Sequence, residues 1–284
     1  MLLLIFALAL SALCTPLLIR ILGRPAFGLL ALVPAGGFFW VLATITKPQF
    51  HALEFHLGWM PAAKLNFTLR MDELSALFLL IILGIGALVL LYCWGYFQSN
   101  PKRLSVFGAQ MVAFAFAMTG LVLADNLLLM YIFWEITSVL SFLLVGYYGE
   151  RASSRRAALQ ALMVTGCGGL AMLVGIILIG VSTDIWTLSG FSTATISLAD
   201  VPSSTIAAML MLAGALSKSA IAPAHFWLPG AMAAPTPVSA YLHSAAMVKA
   251  GIYLTARLSP YLSEVAKWHL IIIPAGLFTM LLGG

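Results

Sequence analysis

Charge is what this sequence has least of. Lys, Arg, Asp and Glu together make up 8% of its 284 residues, against about 25% in soluble globular proteins. Fourteen basic and nine acidic side chains cannot cover the surface of a soluble 30.4 kDa protein, which argues against any water-soluble fold. Cysteine is nearly absent as well. Cys14, Cys93 and Cys167 lie inside apolar runs without C-x-x-C spacing, so a disulfide framework or thiolate metal centre is not expected. They read as buried small hydrophobes. No G-x-x-x-x-G-K-[ST] loop, hydrolytic triad or haem-ligand pair is present, and no metal or cofactor is expected. No Lys or Arg precedes Arg20, so the apolar N-terminus reads as a retained span rather than a cleaved signal peptide.

What fills the chain instead is apolar: 62% of residues, with a mean hydropathy of +1.07. The expected class is an all-α, polytopic transmembrane helix bundle set in a lipid bilayer. The net charge of +5 does not predict nucleic-acid binding, because the bases are scattered in ones, twos and threes between apolar stretches. A crossing needs about 20 apolar residues. That length places spans near Leu2–Leu22, Ala26–Thr46, Glu73–Phe97, Leu104–Leu123, Asn126–Tyr148, Ala157–Val181, Ser204–Ile221 and Thr236–Arg257. A ninth begins near His269 and stops at Gly284, so the chain is expected to be cut off inside a helix.

The corresponding regions are spans one and two in 1–46 and an external loop in 47–72. Span three and a cytoplasmic loop fill 73–103, spans four to eight fill 104–257, and the start of span nine fills 258–284. In the external loop, Leu53–Leu57 and Leu65–Leu69 alternate apolar and polar around Gly58 and Pro61, which predicts a β-hairpin. Arg20/Arg24, Lys102/Arg103 and Arg151/Arg155/Arg156 fall on one side of the bilayer, while Asp125 and the Asp184–Asp200 segment fall on the other. That distribution predicts an external N-terminus, with the basic loops in the cytoplasm.

Four of the 13 prolines lie between Pro223 and Pro237. Proline removes a donor and breaks the helical ladder, so the seventh span is expected to be discontinuous near Pro223. Broken backbone survives in hydrocarbon only beside protein or a water-filled cavity, and in transporters it often marks an ion path. The alternative is a proline-rich interfacial turn.

Twenty of the 23 charged residues fall in loops or at span ends; Glu135, Lys218 and Lys249 do not. Each ion near the bilayer centre costs about 2.5–3.5 kcal/mol on insertion scales. An ion pair holding helices together would explain one acid and one base. It leaves the second lysine unexplained, which favours a proton relay. His243 lies on the same span as Lys249, about 120° around an ideal helix, and reads equally as relay or packing. His225 reads as a packing residue. With Ser138 and Ser217 it is an accessory candidate, since these groups can hold water. Gly166, Gly168, Gly169, Ala171 and Gly175 give span six a small-residue face suited to close helix packing.

Three stretches carry a family likeness: LADNLLLMYIFWEITSVLSFLLVGYY, ALSKSAIAPAHFWLPGAMAAPTPVSAYLHSAAMVKAGIYLTAR and LNFTLRMDELSALF. They resemble the antiporter-like subunits of respiratory complex I, and more closely the A subunit of Mrp-type sodium/proton antiporters. Lys249 favours the latter. The resemblance implies that Glu135, Lys218 and Lys249 are the relay residues of the fifth, broken seventh and eighth helices, with His243 beside the last. It implies one of two inverted five-helix repeats, other antiporter subunits as partners, and protons and Na⁺ (or K⁺ or Li⁺) as transported ions. The alternative it leaves is a proton-pumping membrane-arm subunit of complex I or a membrane-bound hydrogenase. Gly230 and Ala233 stand where many relatives carry acids.

Overall fold

The computed structural model describes residues 1–98, 101–193, 198–262, 265 and 268–283. Gly284, where the ninth apolar stretch stops, lies outside the described residues. Helices α1 (Leu2–Leu22) and α2 (Ala26–Ile45) form an antiparallel pair. The turn between them passes through Gly23 at φ 67°, a left-handed conformation that costs glycine little. Strands β1 (Leu53–Met60) and β2 (Leu65–Met71) then make the expected hairpin, pairing Leu53 with Met71 and Leu57 with Phe67. The otherwise helical chain therefore includes one two-stranded sheet.

Helix α3 (Glu73–Tyr96) starts where the Asp72 carboxylate accepts from the Ser75 backbone N–H, 3.0 Å away. Helices α4 (Pro101–Leu123), α5 (Leu127–Val145) and α6 (Ala152–Thr183) follow. At the start of α5, Asn126 Oδ1 accepts from the N–H groups of Leu128 and Leu129. Short α7 (Leu188–Thr193) precedes α8 (Ser204–Lys218), and α9 (Trp227–Ala231) follows a 3-10 turn at Ala224–Phe226. One continuous helix runs from α10 (Thr236–Val238) through a π-helical stretch, Ser239–Ala246, into α11 (Met247–Leu262). Helix α12 (Trp268–Gly283) ends the described chain.

Among the described residues, six helices are long and apolar enough to cross a membrane: α1 to α6. Helices α8 and α12 are apolar but shorter. The seventh span breaks as expected, but earlier than Pro223. Helix α8 ends at Lys218 itself, and Ala220 sits at φ 52°, outside any helix.

Close approach of helices depends on glycines, though not on every small residue of the face expected on span six. A Cβ on Gly175 would lie 2.6 Å from the Ala207 carbonyl oxygen, and one on Gly214 2.8 Å from that of Gly168. Gly168, Gly175 and Gly214 therefore seat α6 against α8, while Ala171 is only half-buried and Gly166 faces open space. Cys167 lies exposed on the outer face of α6, so only Cys93 of the three cysteines is a fully buried small hydrophobe. Tyr241 and Tyr253 are buried and lend their hydroxyls to Ile82 O (3.1 Å) and Val122 O (2.8 Å). A hydroxyl in so apolar a core needs such an acceptor.

Candidate functional site

Lys218 is the last residue of α8 and has no exposed surface. Its Nζ donates to Trp134 O (2.7 Å), Thr137 Oγ1 (2.6 Å) and Ser138 Oγ (3.0 Å), all on α5. Three donors meet three oxygens, so the amino group is fully satisfied by neutral acceptors. It also stands over the Trp134 ring, 4.5 Å from the centroid. Thr137 and Ser138 donate their own hydroxyl protons to Trp134 O, which fixes both as acceptors toward the lysine. The local reason is helical geometry. Residues 134, 137 and 138 share one face of α5, and the break after Lys218 lets its side chain cross to that face.

Glu135 is beside this arrangement but not in contact with it. No carboxylate oxygen of a described residue lies within 4.0 Å of Lys218 Nζ, so the ion pair with Glu135 considered from sequence does not form. The carboxylate instead lies over Gly169 of α6, where a Cβ would overlap Oε1, and Oε1 is buried without a protein partner. The lysine and the glutamate still interact electrostatically.

His243 is 7% exposed within the π-helical stretch, and neither ring nitrogen has a protein partner. Its ring packs edge-on against Trp227 at 5.9 Å, and Trp227 Nε1 donates to Ser217 O (2.9 Å). A π-helix turns through a smaller angle per residue than an α-helix, so the 120° offset from Lys249 expected from ideal α geometry does not apply. Lys249 is half-buried and makes no hydrogen bond or ion pair with a described residue. Its helix nevertheless runs beside the break, where Ser219 Oγ donates to Val248 O (2.7 Å). His225 Nδ1 is buried without a partner. Ser138 belongs to the lysine's shell. Ser217 does not, because its hydroxyl turns back to Gly214 O (2.9 Å).

Residues 124–284 match the family described as "NADH:quinone oxidoreductase/Mrp antiporter, TM". The chain belongs to this family. Residues 59–107 match a second description, "NADH-Ubiquinone oxidoreductase (complex I), chain 5 N-terminus". Among curated relatives, the probable K⁺/H⁺ antiporter A/B subunit of Rhizobium meliloti is 47% identical over 81% of this chain and 23% of its own length. The Na⁺/H⁺ antiporter A subunit of Alkalihalophilus pseudofirmus is 44% identical over 81% of this chain and 29% of its own. The chain therefore spans between about a quarter and a third of the length of these relatives. The solved Mrp complex from Dietzia sp. contains a chain that superposes with a TM-score of 0.88 at 36% identity, covering 99% of this chain and 30% of that one.

In this Mrp/complex I family member, two of the three stretches singled out from sequence converge on one region, at α5, α8 and the π-helical stretch, while the third, LNFTLRMDELSALF, forms β2 and the start of α3 at the hairpin end. Sequence reading missed Thr137, the Trp134 carbonyl and Trp227. A hydroxyl two residues after Glu135 was the available signal for Thr137; a backbone carbonyl leaves none.

A second polar group forms at the hairpin end. The Arg257 guanidinium bonds both oxygens of Asp72, with Nη2 2.8 Å from Oδ1, and also Ser75 Oγ (2.6 Å). Burial alone would raise the Asp72 pKa. The hydrogen bonds from Arg257 and the Ser75 N–H, with the charges of Arg257 and Arg70, outweigh it and hold the carboxyl below its usual range.

Proposed function

We propose that this chain is the N-terminal portion of the A subunit of a multi-subunit monovalent cation/proton antiporter. Its task there is to carry protons, as part of a transporter rather than an enzyme. The observation that supports this most is Lys218, wholly buried at the end of a broken helix and held by groups that exchange readily with water. A scaffold does not require a base in that position. Protons enter through water at the Ser219–Pro223 break and load Lys218. Glu135, which lies close without pairing, biases that loading electrostatically. From there protons move by water and His243 toward Lys249. Unpartnered Glu135 Oε1, His225 Nδ1 and both nitrogens of His243 are buried polar atoms of the kind that internal water satisfies.

Spans four to eight, residues 104–257, form the first of two inverted five-helix repeats, and Lys249 hands protons to the second. Other antiporter subunits move Na⁺, K⁺ or Li⁺ outward in exchange. Inward movement of one charge through about 100 mV supplies about 2.3 kcal/mol. The N-terminus faces outside, with the arginine-rich loops in the cytoplasm of a bacterial cell. A second reading, a proton-pumping membrane-arm subunit, draws on the complex I match of residues 59–107. The names of the curated relatives favour the antiporter.

The test is to place Glu135→Ala and Lys218→Ala separately in the whole complex and measure cation-dependent ΔpH in everted membrane vesicles. Loss of most exchange is expected in both. Near-normal exchange in both would eliminate the relay.

A further inference from the structure

The two ends of the bundle treat their charges differently. At the hairpin end, Lys64, Arg70 and Arg257 each stand within ion-pair distance of a carboxylate. At the other end meet the α1–α2 turn, the start of α4 and the α5–α6 turn. There, six arginines face one acid among the described side chains: Arg20, Arg24, Arg103, Arg151, Arg155 and Arg156 against Glu150. Only Arg103 pairs with it. The other five have no carboxylate within 4.0 Å among the described residues.

One aromatic cluster joins Arg24, Arg103 and Arg151 across these turns. Arg24 Nη1 donates to Phe97 O (3.1 Å), and the Phe97 ring packs on Phe107 at 4.7 Å. Phe107 packs on Tyr147 at 5.3 Å, and Arg103 covers the Tyr147 ring at 5.7 Å. Arg151 stands over Tyr148 at 4.7 Å, and Arg155 Nη1 bonds Gly149 O at 2.7 Å. Aromatic rings hold Arg103 and Arg151, backbone carbonyls hold Arg24 and Arg155, and all six arginines are exposed.

We infer that this end binds anionic phospholipid headgroups of the surrounding bilayer. Five exposed arginines without a carboxylate partner concentrate positive charge, and guanidinium matches phosphate in a fork of parallel hydrogen bonds. Its position selects lipid over an acidic protein. The arginines border the apolar outer faces of α1, α2 and α6, where Leu17, Ile21, Leu29 and Leu159 are exposed. Tyr92, Trp94 and Tyr96, also exposed, end α3 at the same level. Apolar face, aromatic ring and arginine in that order is the layering of a membrane interface.

The experiment uses the whole antiporter complex purified in detergent from its own membranes, with retained phospholipid extracted and identified by mass spectrometry. Phosphatidylglycerol or cardiolipin should be enriched over its proportion in the bulk membrane. Arg151→Gln/Arg155→Gln/Arg156→Gln should weaken retention by about fivefold for each arginine removed. The corresponding triple lysine variant should keep most of it, and Lys64→Gln, at the other end, should keep all of it. Wild-type complex that retains lipid only in bulk proportion would overturn the inference, whatever the variants do. So would a glutamine variant with unchanged lipid, including one that sheds an acidic partner protein, since the patch would then be a protein-docking surface.

Discussion

Neutral oxygens, not a carboxylate, surround the amino group of Lys218, and this decides which substitutions there are informative. Thr137 Oγ1 is the nearest of the three acceptors at 2.6 Å. Thr137→Val keeps the shape and removes that oxygen, leaving a buried donor short of a partner at about 1–3 kcal/mol. Cation-dependent exchange should fall about tenfold in vesicles, with the complex assembled normally. An unchanged rate would mean that the amino group finds another acceptor. Glu135 offers a complementary test through Gly169. Adding a methyl group there, Gly169→Ala, overlaps Oε1 and pushes the carboxylate aside without altering its chemistry. Exchange should drop while the composition of the complex on size-exclusion chromatography stays intact. Glu135, Lys218 and His243 were legible in the sequence because a polar group in an apolar run is conspicuous. Thr137 was not, since hydroxyls are common in membrane helices, and the Trp134 carbonyl exists as an acceptor only in three dimensions.

Helix identity and extent were the most legible level of this protein. Helix α1 runs from Leu2 to Leu22 as its apolar run predicts, and α3 begins at the Asp72 cap, because hydrocarbon permits little else for an apolar backbone. Two features departed from ideal helix rules. Helix α8 stops at Lys218, before any proline, and the eighth span widens into a π-helix over Ser239–Ala246. Just before that stop α8 meets α11 closely at Gly251, whose Cβ would overlap the Ala215 carbonyl oxygen. A carbonyl on a neighbouring helix cannot yield as a side chain can. Gly251→Ala should therefore separate the two helices, costing about 1–3 kcal/mol and lowering the melting temperature of the purified complex. Gly166→Ala, facing open space, should leave it unchanged.

Across the whole molecule, the hairpin end is tied together by contacts between residues far apart in sequence. Lys64 bonds Asp184 at 2.8 Å, Asn126 donates to Lys64 O at 2.9 Å, and Arg257 reaches Asp72 across the bundle. The folded-state pKa of Asp72 lies below its ordinary value of 3.8. Its contribution to stability is therefore fully present above that pH and is lost as pH falls through the lowered value. Asp72→Asn should cost about 3 kcal/mol at neutral pH, as breaking a partly buried pair does. It should also flatten the acid limb of the melting temperature against pH. A variant that retains the wild-type acid limb would show that other carboxylates govern it.

The sequence by itself determined a helical membrane protein, the limits of its first five long helices to within a few residues, the hairpin and the short set of ions that insertion does not require. Composition and run length suffice for these, because the bilayer penalises every unpaired polar group in the same way wherever it lies. Only the tertiary structure decided which partner each of those ions takes. Whether Lys218 meets a carboxylate or three neutral oxygens depends on where α8 stops and which face of α5 it meets. Those depend on how α5, α6, α8 and α11 pack together, and no single helix encodes them.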